Sequence, residues 1–480
     1  MNNKYKSLIK NTTLVFVGRI GSNLLQFLML PFYTKWLSTS QYGMYDLILV
    51  YVSILAVVVS CKIESAIFVY PKDRTEEEQK NYFSSGLVFL IILFSILSIS
   101  FFVINIFYND LNKNVFFKYI WFIYLLILFN IIFRYIQQFC RAIDKIFIYA
   151  VSGLFFTLIS VIFSFILIPK YGLNGYVYSQ FIGFVFGILT IIFTVKIYKF
   201  ISFKHIKINY AKKMLVFSLP LIPTTIMWWL VTSLNKPLIE TYCGLAVLGI
   251  FAIATRFSQI PAILNDIFCD AWQISVLEEF NNKDYSVYYN KMFNAYFVFQ
   301  IFCSIIFAVF SKSIIEVFTA KNYWDAWYYI PFLVLSGAMS NISAFVAVNF
   351  TAARETRYYF YSSIVGLIAS IGLNFALIPY YGVYGAIVSF FVCGLVQVII
   401  RIYFSWKWVV IINIWKYIIN IIYNILIVLL VISHISIYLK YSLLMFVFVL
   451  FLLFNKNIIY MIFKQILSGI RKKLIINIGA

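Results

Sequence analysis

Residues 87–107 read LVFLIILFSILSISFFVINIF, a run without one charged side chain. A helix of that length, rising about 1.5 Å per residue, crosses a hydrocarbon layer of roughly 30 Å. Inside that layer no water is available, so each backbone N–H and C=O must find its partner within the protein. About fourteen such stretches recur, from 12–34 and 43–64 through to 412–434 and 441–463, and they leave no room for a soluble domain. Composition agrees: 63% of the residues are hydrophobic and 11% charged, against roughly 25% charged in soluble domains. The expected fold class is an all-α integral membrane protein with about 14 transmembrane helices.

A second feature organises these spans. LIPKYGLNG at 167–175 returns as LIPYYGVYG at 377–385, so that Leu167, Ile168, Pro169, Tyr171, Gly172 and Gly175 recur as Leu377, Ile378, Pro379, Tyr381, Gly382 and Gly385. Proline lacks an amide donor and glycine accepts positive φ, so each copy reads as the end of one span, a tight corner and the start of the next. An even number of spans separates the copies, which puts both corners on one membrane face and makes the halves parallel repeats. Fainter echoes pair Ser152 with Ser362, Ser160 with Ser370, and QYGMYD (41–46) with VLGIFA (247–252). The predicted domains are an N-terminal six-helix lobe over 1–200, a C-terminal six-helix lobe over 201–410 around a shared central cleft, and two extra helices with a basic cytoplasmic tail over 411–480.

The formal net charge of +21 reflects topology. Lysine and arginine gather in cytoplasmic loops, and with a cytoplasmic N-terminus most of the 38 fall there, including the run Lys196, Lys199, Lys204, Lys207, Lys212 and Lys213. Both termini are therefore expected in the cytoplasm. The basic residues are scattered over short loops with no nucleic-acid-binding motif, so no nucleic-acid partner is expected. The first span contains Arg19 and Asn23 and lacks a small-residue cleavage site, so it reads as a retained span rather than a signal peptide. The six cysteines form no C-x-x-C pair and the two histidines lie far apart, which implies no metal. No G-x-x-x-x-G-K-[ST] stretch supplies a nucleotide motor. The expectation is no cofactor, with transport facilitated or coupled to H⁺ or Na⁺.

Charges within spans are costly and usually face the bundle interior or a wet cavity. Arg256 lies near the middle of span eight, where snorkelling to the interface is difficult; Arg19 lies about a third of the way along span one. Asp46 opens span two, Lys62 and Glu64 lie at its far end, and Asn235, Lys236 and Glu240 close span seven. Asp266 and Asp270 share one helical face at the end of span eight. The candidate substrate-binding residues are Arg19, Arg256, Asn23, Asn235 and Lys236; the candidate ion-coupling or gating residues are Asp46, Glu64, Asp266 and Asp270. Simple snorkelling is a second reading for those near span ends. Pro220 and Pro223 should bend or break span seven. The runs WW (228–229) and YWDAWYY (323–329) read as interfacial anchors rather than sugar platforms.

A midspan arginine suits an anionic cargo. The stretch NTTLVFVGRIGSNLLQFLMLPFYTKWLSTSQYGMYDLILVY (11–51) resembles the opening of bacterial polysaccharide flippases of the O-antigen and capsule repeat-unit type. These belong to the multidrug/oligosaccharidyl-lipid/polysaccharide exporter superfamily, and the resemblance extends over roughly residues 8–405, both Y-G-x-x-G corners included. It implies translocation of an undecaprenyl-pyrophosphate-linked oligosaccharide from the cytoplasmic to the outer leaflet by alternating access of the two lobes. It also implies a bacterial cytoplasmic-membrane location, with membrane lipids and the polysaccharide polymerase machinery as partners. IATRFSQIPAIL (253–264) is similar to the span-eight segment of peptidoglycan-precursor flippases, with Arg256 and Pro261 in the places of their arginine and proline. Arg19 and Asp46 resemble their span-one arginine and their span-two aspartate. Thr255 and Gln259 stand where those relatives have acids, which favours a polysaccharide repeat unit over lipid II. Arg19 and Arg256 would then attract the pyrophosphate.

Two other classes stay open. A drug or cation exporter on the same fold would place buried acids in the cleft. A membrane polymerase or glycosyltransferase would need a sizeable external loop or paired external carboxylates; the first external loop, KWLSTSQYG, has no acid.

Overall fold

The computed structural model describes residues 18, 20–107, 118–433 and 435–460. Among them every regular element is helical. The helices are α1 (Leu30–Trp36), α2 (Thr39–Ser60), α3 (Ile63–Val69), α4 (Glu76–Phe107), α5 (Ile120–Ala142), α6 (Ile146–Tyr171), α7 (Leu173–Val195), α8 (Ile208–Ser218), α9 (Leu221–Ser233) and α10 (Asn235–Cys243). There follow α11 (Leu245–Ser258), α12 (Ile260–Glu279), α13 (Tyr285–Phe318), α14 (Ile330–Ala352), α15 (Thr356–Tyr381), α16 (Val383–Ser405), α17 (Ile414–Ile432) and α18 (Ile437–Phe454).

Among the described residues, 11 helices are long and apolar enough to cross a membrane, or 12 if the pair Ile208–Ser218 and Leu221–Cys243, bent by 43°, is one span. The expected count of 14 is not reached among the described residues. The helix over Tyr438–Phe454 is shorter and apolar, and the opening residues of the first stretch lie outside the described residues. The bend in span seven falls at Pro220, which caps α9, because proline interrupts the helical hydrogen-bond ladder.

Contacts divide the chain into two compact units. The first runs through Glu240 and takes in Gly244–Gly249 and Phe318–Asn322; the second holds Thr241–Cys243, Ile250–Val317 and Tyr323 onward. Residues 201–240, assigned by sequence to the C-terminal lobe, thus belong with the first unit, and the cause is local. The basic linker is fastened to the start of α4: Ser84 Oγ donates to Phe200 O at 2.8 Å, Lys207 N donates to Ser85 Oγ at 2.9 Å, and His205 Nδ1 meets Asn81 Oδ1 at 3.0 Å. From there α8 packs on α3 and α4.

The repeat is visible in helix boundaries. Shifting α5, α6 and α7 by the spacing that relates Leu167 to Leu377 lands on α14, α15 and α16 at both ends of each helix. The corners match in backbone angle: Gly172 has φ 53°, ψ −127° and Gly382 φ 55°, ψ −129°. Those angles belong to the first central residue of a type II′ turn, where a side chain is strained. Three residues on, a Cβ on Gly175 would lie 2.2 Å from Leu167 O, and one on Gly385 2.6 Å from Leu377 O. The motif therefore needs its two glycines for different reasons, one for angle and one for close approach of the helices it joins.

In the second unit α17 and α18 are docked on the core. Tyr417, Ile427, Val431 and Phe451 pack with Phe293, Phe297 and Ile301. Asn424 Nδ2 donates to Ile301 O at 3.3 Å, and Asn455 Nδ2 donates to Asn420 Oδ1 at 2.7 Å. Amides buried in this way have little else to bond in lipid. A chain ending before residue 411 is expected to lose most of its folded yield and to melt below the full chain in detergent; an unchanged melting temperature would show these helices to be appendages.

Candidate functional site

The described candidates begin with a zipper along α2. Lys236 Nζ lies 2.7 Å from Asp46 Oδ2, with side-chain exposures of 18% and 5%. Seven residues further along α2, and seven back along the α9–α10 segment, Trp229 Nε1 donates to Ser53 Oγ at 2.9 Å. The opposite running of the two numbers means that the second half of span seven lies antiparallel on span two. A predicted substrate-binding lysine and a predicted coupling acid are thus each other's partners. Beside them Asn235 is buried, and its Oδ1 has no hydrogen-bond partner.

Asp46 sits one turn past a close helix crossing. A Cβ on Gly43 would lie 2.2 Å from Leu245 O, and one on Gly249 would lie 1.9 Å from Thr39 O. The contact is reciprocal: Thr39 and Leu245 each open a helix, and each glycine sits four residues later. These are the glycines of QYGMYD and VLGIFA, so that echo marks where α2 and α11 touch.

At the other end of span two the helix is interrupted. Cys61 (φ 47°) and Lys62 (φ 56°) are both left-handed, a rare conformation for residues with a side chain. The break turns Glu64 inward. It is 9% exposed, Lys62 Nζ approaches its Oε1 at 3.7 Å, and its Oε2 is buried without a hydrogen bond. A small cavity lies there, lined by Ala56, Val57, Ser60, Glu64, Asn130, Ile131 and Arg134. Sequence reasoning found Glu64 but missed Asn130 and Arg134, because α5 meets α2 and α3 only in the fold.

Arg256 lies in the last turn of α11, and Pro261 enters α12 two residues after the break at Gln259. A cation at a helix C-terminus is stabilised by the carbonyl ends, and backbone groups at the break lose their helical partners. Arg256 is partly buried and engaged in contacts of its own. Asn23 is exposed on the helical residues 20–28. Asp266 and Asp270 fall in α12; their side chains, and Arg19 altogether, lie outside the described residues.

Sequence reading also passed over Arg401. It is 4% exposed within α16. The available signal was the stripe Ser389, Cys393, Gln397, Arg401, Ser405, four residues apart and all buried, on one helix face.

A family model described as polysaccharide biosynthesis protein matches residues 8–271, more than half of the chain. The chain belongs to that family. The matched part includes Asp46, Glu64, Lys236 and Arg256. No curated protein sequence matches the chain. Among solved structures, the lipid II flippase MurJ in an inward closed conformation is similar with a TM-score of 0.70 at 16% identity, over 94% of this chain and 100% of MurJ. A mutant of the Vibrio cholerae MATE transporter VcmN has a TM-score of 0.56 at 14% identity, over 84% and 97% of the two chains. An inward-facing multidrug resistance MATE family transporter of the MOP superfamily reaches 0.59 at 14% identity, over 82% and 94%. At such identities the likeness is one of fold.

Proposed function

We propose that this chain is a flippase for an undecaprenyl-pyrophosphate-linked oligosaccharide, moving it from the cytoplasmic to the outer leaflet by alternating access. The observation that carries the reading is Arg256, a cation within a membrane span at a helix break, in a chain of the polysaccharide biosynthesis family. An arginine fork suits a pyrophosphate, whose oxygens accept paired N–H bonds. Arg19 is the second expected ligand. The similarity to MurJ, a lipid II flippase by name, and to MATE transporters supports a transporter rather than an enzyme. Coupling to H⁺ or Na⁺, a cytoplasmic-membrane setting and work alongside a polymerase go with this reading.

The cation-exporter alternative needs an acid available in the membrane. Asp46 is held by Lys236 at 2.7 Å, so its charge is already balanced; Glu64, whose Oε2 is buried without a hydrogen bond beside a small cavity, is the acid that alternative would use.

Purified protein in vesicles should expose a fluorescent undecaprenyl-pyrophosphate oligosaccharide to an external lectin, and Arg256→Ala should slow this by about 10-fold or more, the loss of one charge-assisted interaction. Movement of a cationic dye with no movement of the lipid-linked sugar would sink the proposal.

A further inference from the structure

The second repeat buries a cation that its twin does without. Arg401 is 4% exposed; Nε donates to Ser362 Oγ at 3.1 Å, Nη1 to Ser343 O at 3.0 Å and Nη2 to Ser363 Oγ at 3.3 Å. All three acceptors are neutral, and among the described residues no carboxylate pairs with it. The equivalent position in the first repeat, at the same spacing as Leu167 to Leu377, is Ile191, fully buried. There Ser152, the twin of Ser362, is served by the neutral amide of Gln137 at 3.1 Å. The helix triad therefore packs without an arginine, and the charge calls for a reason beyond packing, because an uncompensated buried charge is costly.

The surroundings point outward. Arg401 lies four residues from the end of α16, about 6 Å along the axis, and its guanidinium sits 4.7 Å from the centre of the Tyr359 ring, which is 44% exposed. Tyr359 belongs to an exposed band with Phe360, Tyr361, Tyr403 and Trp406, the pattern of an interfacial aromatic belt. Arg354, Arg357 and Lys407 stand exposed at the same end, and Arg357 and Lys407 share the carboxylate of Glu355. Three of the five guanidinium N–H groups go to these neutral acceptors and the Tyr359 side chain is a further partner, so an incoming phosphate oxygen would take the place of that tyrosine.

We propose that Arg401, beneath the Tyr359 ring, is a binding site for the phosphate headgroup of an anionic membrane lipid lying against α15 and α16. Basic pockets between transmembrane helices hold such headgroups, and arginine matches phosphate oxygens in pairs. Arg357 and Lys407 form the outer, screened part of the attraction; Arg401 supplies the desolvated contact once the Tyr359 ring turns aside. This site is separate from the proposed cargo ligands and does not depend on the transport reading.

The test uses the full chain in vesicles of phosphatidylcholine, alone or mixed with phosphatidylglycerol, read by thermal unfolding and by native mass spectrometry of retained lipid. Phosphatidylglycerol should raise the wild-type melting temperature by a few degrees and stay bound. Arg401→Gln should lose that shift and retain about 10-fold less lipid. Equal retention by the two proteins overturns the proposal. If Arg401→Gln does not fold, Arg401→Lys decides: it keeps the charge and loses the fork, so several-fold weaker retention supports the site and unchanged retention removes it. An equal shift from inorganic phosphate in phosphatidylcholine vesicles would overturn the lipid assignment.

Discussion

Gly249→Val is expected to leave little correctly folded protein, with Gly249→Ala intermediate. The added Cβ would lie 1.9 Å from Thr39 O, 2.8 Å from Thr39 C and 3.0 Å from Gly43 N. Even the close contacts of weak C–H···O type need roughly 3.3 Å or more. The obstacle is backbone at the start of α2, held by the helical ladder, so no flexible side chain can move aside. Overpacking typically costs about 1–3 kcal/mol, and this position belongs at the upper end or beyond, since the reciprocal contact at Gly43 is equally tight. Size-exclusion profiles and melting temperatures in detergent provide the check. A Gly249→Val variant with the wild-type melting temperature would mean that α2 and α11 do not cross at these glycines.

The second large effect concerns Asp46 and Lys236. Lys236→Met alone should destabilise by about 3 kcal/mol, because it strands a carboxylate that is 5% exposed. Asp46→Leu should do the same in the other direction, reduced somewhat because the lysine side chain is 18% exposed. The double variant should recover most of the loss, an apolar pair replacing an ionic one. Stability and transport then separate the two roles of the pair. A double variant that is stable yet slow in the lectin-accessibility measurement assigns the charges to transport; one that is stable and fully active makes the pair a strut between α2 and α10. Additive destabilisation with no recovery would deny the pairing itself.

Arg256 and Asp46 were legible because each is a charge inside an apolar run, and the run supplies the register against which a charge stands out. Glu64 was legible for the same reason, but its cavity was not: Asn130 and Arg134 reach it from α5, far along the chain. Lys236 illustrates the converse limit. Its position near a span end suggested an interfacial role or a cargo contact, and only the antiparallel lie of α9–α10 on α2 brings it to Asp46. Arg401 escaped notice because a basic residue near the end of a span resembles a loop charge. Its side chain points along the helix toward the preceding turns, which carries it inward to Ser343 and Ser362.

By itself the sequence determined the solvent, the helical class, the pair of repeats and the chemistry of their corners. Each of these rests on local quantities: apolar run length against membrane thickness, and the backbone freedom that glycine at 172 and 382 supplies. The tertiary structure alone decided which charges are partners, where α2 and α11 touch, why the linker after α7 stays with the first unit, and that one arginine of the second repeat lies buried under a tyrosine. The reason is geometric. Hydropathy places a residue in depth along a span but not in angle around it, and ion pairs, glycine crossings and buried cations are settled by angle, which only the packing of distant helices defines.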